Sequence, residues 1–149
     1  MKANPKIQEE IEKIVCVLLK KFHNRDPFYI ARCLGIEITF LDFNEYLPAF
    51  SERRNRYDRG RIYINKNFGT YTRKILCAHE LGHLLLHDVC ESTFFDSDIE
   101  PEKEYEANYF VALLMPQIIL SENALDFPVE TFNAYISRRV KYTSQVEKL

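Results

Sequence analysis

No stretch of this chain is apolar for long enough to cross a membrane. The longest apolar runs, Ile14–Leu19 and Phe110–Met115, fall far short of the roughly 20 residues a spanning helix needs. The first ten residues, from Met1 through Asn4-Pro5 to Glu10, lack the apolar centre of a secretory signal. A cytoplasmic location is therefore expected. Excess charge of either sign is also missing: the formal net charge is −2 and the pI near 6.1. Such a chain has no global field to recruit nucleic acid or an anionic membrane, so neither is expected as a direct partner. The 4 cysteines, Cys16, Cys33, Cys77 and Cys90, form no C-x-x-C pair, which removes the redox motif and the zinc ribbon. In apolar settings with no secretory signal, they read as buried thiols rather than a disulfide framework. Repeats, low-complexity tracts and linkers are absent, so residues 1–149 are expected to form one domain.

Histidine is scarce as well, with only 4 in the chain, yet two of them fall in the run Ala78-His79-Glu80-Leu81-Gly82-His83. This is the H-E-x-x-H spacing of zinc hydrolases. Helical neighbours at i and i+4 lie about 5–6 Å apart between Cβ atoms, so both imidazoles can face one ion with Glu80 beside them as base. The surrounding pattern is helical, with Ile75, Leu76, Leu81, Leu84, Leu85 and Leu86 recurring at three- and four-residue steps. The helix is expected to start at Thr70 or Thr72 and to leave near His87-Asp88, spanning about 70–88. Gly82 costs about 1 kcal/mol relative to Ala in a helix interior, which implies close packing there. His87 lies two turns from His79, about 12 Å along the axis, too far to share one tetrahedral ion easily. It caps the helix C-terminus or supports the site from outside the ligand set.

A third ligand must come from elsewhere, and the next helix, about 101–115, offers three glutamates. Pro101 suits its first turn, acidic residues suit its N-terminus, and Pro116 stops it. Ala107, Phe110, Val111 and Leu114 mark an apolar stripe, with Glu104 along its edge. Glu106 points roughly 200° away from Glu104, so Glu104 is the expected ligand and Glu106 the alternative. Asn108, one turn on, is placed to hydrogen-bond a ligating imidazole.

Together, Ala-His-Glu-Leu-Gly-His-Leu-Leu-Leu-His over 78–87 and Glu-Tyr-Glu-Ala-Asn-Tyr-Phe-Val-Ala-Leu-Leu-Met-Pro over 104–116 resemble the ImmA/IrrE family of zinc metallopeptidases. The likeness takes in Asp26-Pro27 to Gly35-Ile36 and Ile62–Asn65, about 26–116 in all; Val111 stands where the family more often has Ala. The resemblance implies a zincin-like, gluzincin-like metal site in which the leading Glu of the second motif, here Glu104, completes the ligand set. It further implies a cytoplasmic protease of a phage or mobile element whose protein substrate is a helix-turn-helix repressor of the Xre type.

The residues suffice for peptide hydrolysis. His79, His83 and Glu104 would hold Zn²⁺ and leave a fourth position for water, whose pKa falls towards about 7. Glu80 would take the proton and pass it to the leaving amine. Tyr71, Arg73, Tyr105 and Tyr109 are all candidate oxyanion donors.

The expected organisation is α+β: N-terminal helices over 6–34, a sheet region over 36–65, the two motif helices, and a helical tail over 116–149. An amphipathic helix runs Ile7–Phe22, a second spans Pro27–Leu34 and ends at Gly35, and Ile36–Leu41 alternates as a strand. Further strands are expected near Ala49–Glu52 and Arg61–Ile64, giving three or more beside the active-site helix; tail helices are expected near Pro116–Leu125 and Pro128–Lys141. Tyr29–Ile36 looks like the middle of a helix-turn-helix, but a strand follows where a recognition helix should. Arg53, Arg54, Arg56, Arg59 and Arg61 populate what reads as a solvated hairpin loop. Cys90–Glu100, acidic with Phe94-Phe95, reads as a loop over the cleft or a surface linker. Two rival readings stand beside the enzyme. One is a non-catalytic metal-containing regulatory module that binds a repressor or DNA, which would not need Glu80. The other is a structural zinc site, which would need His87 or Cys77 as a fourth ligand.

Overall fold

The computed structural model describes residues 1–43, 47–88, 91–93 and 100–149, with backbone alone for 91–93. Two helices lead: α1 (Pro5–Phe22) and α2 (Pro27–Cys33). Each starts where an Asx side chain meets a proline, since Asn4 accepts from Lys6 N and Asp26 from Phe28 N while the proline has no N–H to satisfy. Strands β1 (Glu37–Leu41), β2 (Ala49–Glu52) and β3 (Arg61–Asn65) follow, then α3 (Thr70–Leu86), a short β4 (Glu91–Thr93), α4 (Pro101–Leu114) and α5 (Val129–Glu147). The sheet order is β1-β3-β2-β4: β1 runs parallel to β3, while β2 pairs antiparallel with both β3 and β4. This is an α+β fold of the zincin-like kind, with both motif helices packed beside a small mixed sheet.

α3 lies at the centre, buried along Ile75–Leu84 and touching the sheet, α2, α4 and α5. α4 packs between α3, α5 and α1, so its buried residues extend beyond the expected stripe to Tyr105, Tyr109 and Ala112. A helix enclosed by neighbours carries apolar residues all round, and the stripe seen in sequence was only one of its faces.

The tail departs from expectation. Pro116–Leu125 is not a helix; short 3₁₀ turns at Pro116–Ile118 and Glu122–Asp126 replace it. α5, by contrast, runs on past Lys141 to Glu147. The extension has a partner: Glu147 accepts Tyr71 N and Thr72 N, each at 2.9 Å, as well as the Thr72 hydroxyl. Gly69, the α3 N-cap, offers no side chain, so a carboxylate from the far end of the chain satisfies the orphan amides. At the other end, Arg53 Nη2 donates to His87 O at 2.9 Å and to Leu84 O, so one arginine of the expected solvated loop secures the α3 C-terminus. Arg61 lies in β3, paired with Asp58 and Glu52. Cys77 is buried, but Cys16 and Cys33 are exposed, correcting the reading of every cysteine as a buried thiol. β1 begins at Glu37, two residues after Gly35, where a recognition helix would have to start, so the helix-turn-helix resemblance ends there. Cys90 and Phe94–Ile99 lie outside the described residues, and with them most of the expected cleft loop.

Candidate metal centre

His79 and His83 project from one face of α3 towards α4, where Glu104 meets them. His83 Nε2 lies 3.1 Å from His79 Nε2 and 2.8 Å from Glu104 Oε1, and His79 Nε2 is 3.4 Å from the same oxygen. All three groups offer one ligand atom within 4.8 Å of one another. The approach of the helices depends on Gly82, since a Cβ there would stand 3.2 Å from Phe110 Cδ1 and 3.3 Å from Ala107 Cα. A Cβ at that position would require Phe110 and the α4 backbone at Ala107 to give by a few tenths of an ångström.

Both histidines are buried, and each has a polar partner on its second nitrogen. His79 Nδ1 meets Asn108 Oδ1 at 2.9 Å; His83 Nδ1 meets His87 Nδ1 at 3.1 Å. His87 Nε2 in turn lies 3.7 Å from Glu106 Oε2. Glu106, the alternative ligand, is thus placed behind the site on His87, on the side of the helix its 200° offset from Glu104 implies. His87 is the C-cap residue of α3, while its ring faces His83 and Glu106.

The electrostatics follow from this packing. Burial and the Glu104 hydrogen bond act in opposite directions on each imidazole. Burial wins at His83, pushing it down to about 4, whereas at His79 the attraction of Glu104 and Glu80 overcomes burial and raises the ring above its ordinary value. Burial would raise Glu104, but the two imidazoles hold it down to about 2. Burial also pushes the Cys77 thiol well up, and Cys77 is not among the clustered ligands. Among the described residues, the cluster therefore offers three protein ligands.

Glu80 is buried beside this cluster, and Ser51 of β2 donates its hydroxyl to Glu80 Oε1 at 2.9 Å. Ser51 was not singled out in the sequence, although a signal exists. In β2 the inward positions are Ala49 and Ser51, and a hydroxyl on the inner face of a strand needs a partner. The candidate oxyanion donors fare differently. Arg73 is engaged with Phe68 O and Lys66 O at the start of α3, Tyr105 with Gln8, and Tyr109 with Glu12. Among the described contacts, neither these three nor Tyr71 reaches the cluster.

A family profile described as the IrrE N-terminal-like domain, Peptidase M78, matches residues 31–148 and so takes in both motif helices and α5. The chain belongs to this family. A Peptidase M78 assignment supports a metallopeptidase-type function and agrees with a site made of two imidazoles and one carboxylate. A relative named "Uncharacterized immunity region protein 2" of Bacillus phage phi105 is 32% identical, with the match covering 75% of this chain and 72% of the relative. No solved structure matches the chain. No helix among the described residues is long and apolar enough to cross a membrane.

Proposed function

We propose that this Peptidase M78 member is a zinc-dependent endopeptidase that acts in the cytoplasm and cleaves a helix-turn-helix repressor of the same phage or mobile element. The observation that carries the proposal is the convergence of His79, His83 and Glu104 with buried Glu80 beside them. The donor set fits zinc: two imidazole Nε2 atoms and one carboxylate oxygen, each second nitrogen held by a partner. Zinc held there would supply Lewis-acid polarisation of the scissile carbonyl and a lowered pKa for the attacking water. Glu80 takes the proton of that water and returns it to the leaving amine nitrogen. Ser51 holds Glu80 Oε1 in place during both transfers. Asn108 and His87 keep the two ligand rings turned inward.

The protein substrate is inferred from the peptidase family, and its identity as a repressor from the immunity-region name of the phage relative and the resemblance to repressor-cleaving proteases. The test is co-expression with the repressor encoded nearest the gene, following repressor length by mass spectrometry. A defined cut with wild type and none with Glu80→Gln is expected. A repressor left intact by a zinc-loaded wild type, under conditions that induce the element, contradicts the proposal and favours a regulatory module acting by contact.

A further inference from the structure

Behind His79 runs a line of amide groups that crosses three helices. Asn108 Oδ1 faces His79 Nδ1 at 2.9 Å, Asn108 Nδ2 donates to Asn133 Oδ1 at 2.8 Å, and Asn133 Nδ2 donates to Pro101 O at 3.1 Å. Asn133 belongs to α5, Asn108 and Pro101 to α4, and His79 to α3. We infer that Asn133 is a positioning residue that fixes the direction of this line and so selects the metal-binding tautomer of His79. The inference rests on the zinc reading of the site.

The direction is set from the outer end. A backbone carbonyl only accepts, so Pro101 O requires the NH₂ end of the Asn133 amide. The Asn133 carbonyl end is then turned inward, where it requires the NH₂ end of Asn108. The Asn108 carbonyl is in turn left facing His79 Nδ1, and an oxygen acceptor there requires Nδ1–H. A neutral imidazole carries one N–H, so Nε2 keeps its lone pair, directed at the point shared by His83 and Glu104. Without Asn133 the Asn108 amide is free to turn over. Its NH₂ would then face Nδ1, the ring proton would move to Nε2, and the nitrogen that meets the metal would be blocked.

The test uses the full chain as wild type, Asn133→Ala and Asn133→Asp. Zinc affinity is read by competition with a chromophoric chelator, and the Nδ1–H of His79 is followed by proton–nitrogen NMR in the zinc-free protein at a pH where the ring is neutral, because zinc on Nε2 would itself place the proton on Nδ1. Partners of ligating histidines typically change metal affinity 10–100-fold, and Asn133 acts one bond further out, so Asn133→Ala is expected to weaken zinc about 10-fold. It should also lose the slowly exchanging Nδ1–H signal. Asn133→Asp gives up the bond to Pro101 O but can only accept, so it still imposes the NH₂ end of Asn108 and should keep the Nδ1–H signal that the alanine loses. Wild-type affinity with an intact Nδ1–H in Asn133→Ala would overturn the inference. So would an Asn133→Asp variant that loses the Nδ1–H signal as the alanine does, since the acceptor for Asn108 would then not set the tautomer. A wild-type chain that takes no zinc from the chelator would instead overturn the metal centre itself.

Discussion

At the scale of single residues, a buried carboxylate can serve as a base only if something holds it where the proton will be. Glu80 is enclosed, and Ser51 donates to one of its oxygens. Removing a hydrogen bond to a buried charged group costs about 1.5–3 kcal/mol, equivalent to roughly a 10- to 100-fold change in rate. Ser51→Ala is therefore expected to lower kcat by about that factor, leaving KM and zinc content near wild type, with Ser51→Thr recovering most of the loss. A fall in KM-linked binding with kcat unchanged would remove Ser51 from the proton transfers. The proposed ligands make a second prediction. Because His79 is raised above the ordinary imidazole value, a proton competes with zinc there at a higher pH than for an ordinary imidazole, whereas His83 is held neutral down to about 4 and Glu104 ionised down to about 2. Zinc affinity should thus weaken below neutral pH with the uptake of about one proton per zinc lost. Calorimetry in buffers of different ionisation enthalpy measures that number; two protons near pH 6 would show that both imidazoles titrate together.

At the scale of elements, the separation of α3 and α4 sets the site, and Gly82 sets the separation. Gly82→Ala gains about 1 kcal/mol of helix propensity but forces Phe110 and the α4 backbone outward, and overpacking of this kind costs about 1–3 kcal/mol. Net destabilisation in urea, with weaker zinc binding, is expected; a more stable protein with unchanged zinc affinity would show that α4 yields freely. Glu147 provides a test at the other end of α3. Glu147→Ala removes the acceptor for the first-turn amides and is expected to cost about 1 kcal/mol in thermal or chemical unfolding, without moving the ligand cluster. Both motif helices were legible in sequence because each carries its own punctuation: a proline at the start of α4, Pro116 after its end, and apolar periodicity through α3. The tail was not, because its limits are set by distant partners. Pro116 and Pro128 bracket turns that resemble helix in composition, and α5 is prolonged to where Glu147 meets α3.

At the scale of the whole molecule, the sheet and the outer helices place a few polar groups against a motif that could be read without them. The spacing of His79, Glu80 and His83 and the edge position of Glu104 are local facts of two helices. Ser51 and Asn133 come from β2 and α5, and their sequence signals were faint: one hydroxyl on the inner face of a four-residue strand, and one amide beside the apolar positions Val129, Phe132 and Ile136 of α5. Only the packing of all the elements shows which polar groups they meet. The exposed Cys16 and Cys33 make the same point in reverse, since apolar neighbours in sequence did not make those positions interior. On the proposed function, this packing builds an open hydrolytic metal centre. X-ray absorption at the zinc edge on the purified full chain tests it most directly. One zinc per chain, with two imidazoles, one carboxylate and a remaining light-atom position that exchanges with added inhibitor, is the predicted result. A zinc-free protein after metal-replete preparation, or a zinc closed by four protein ligands, would contradict it.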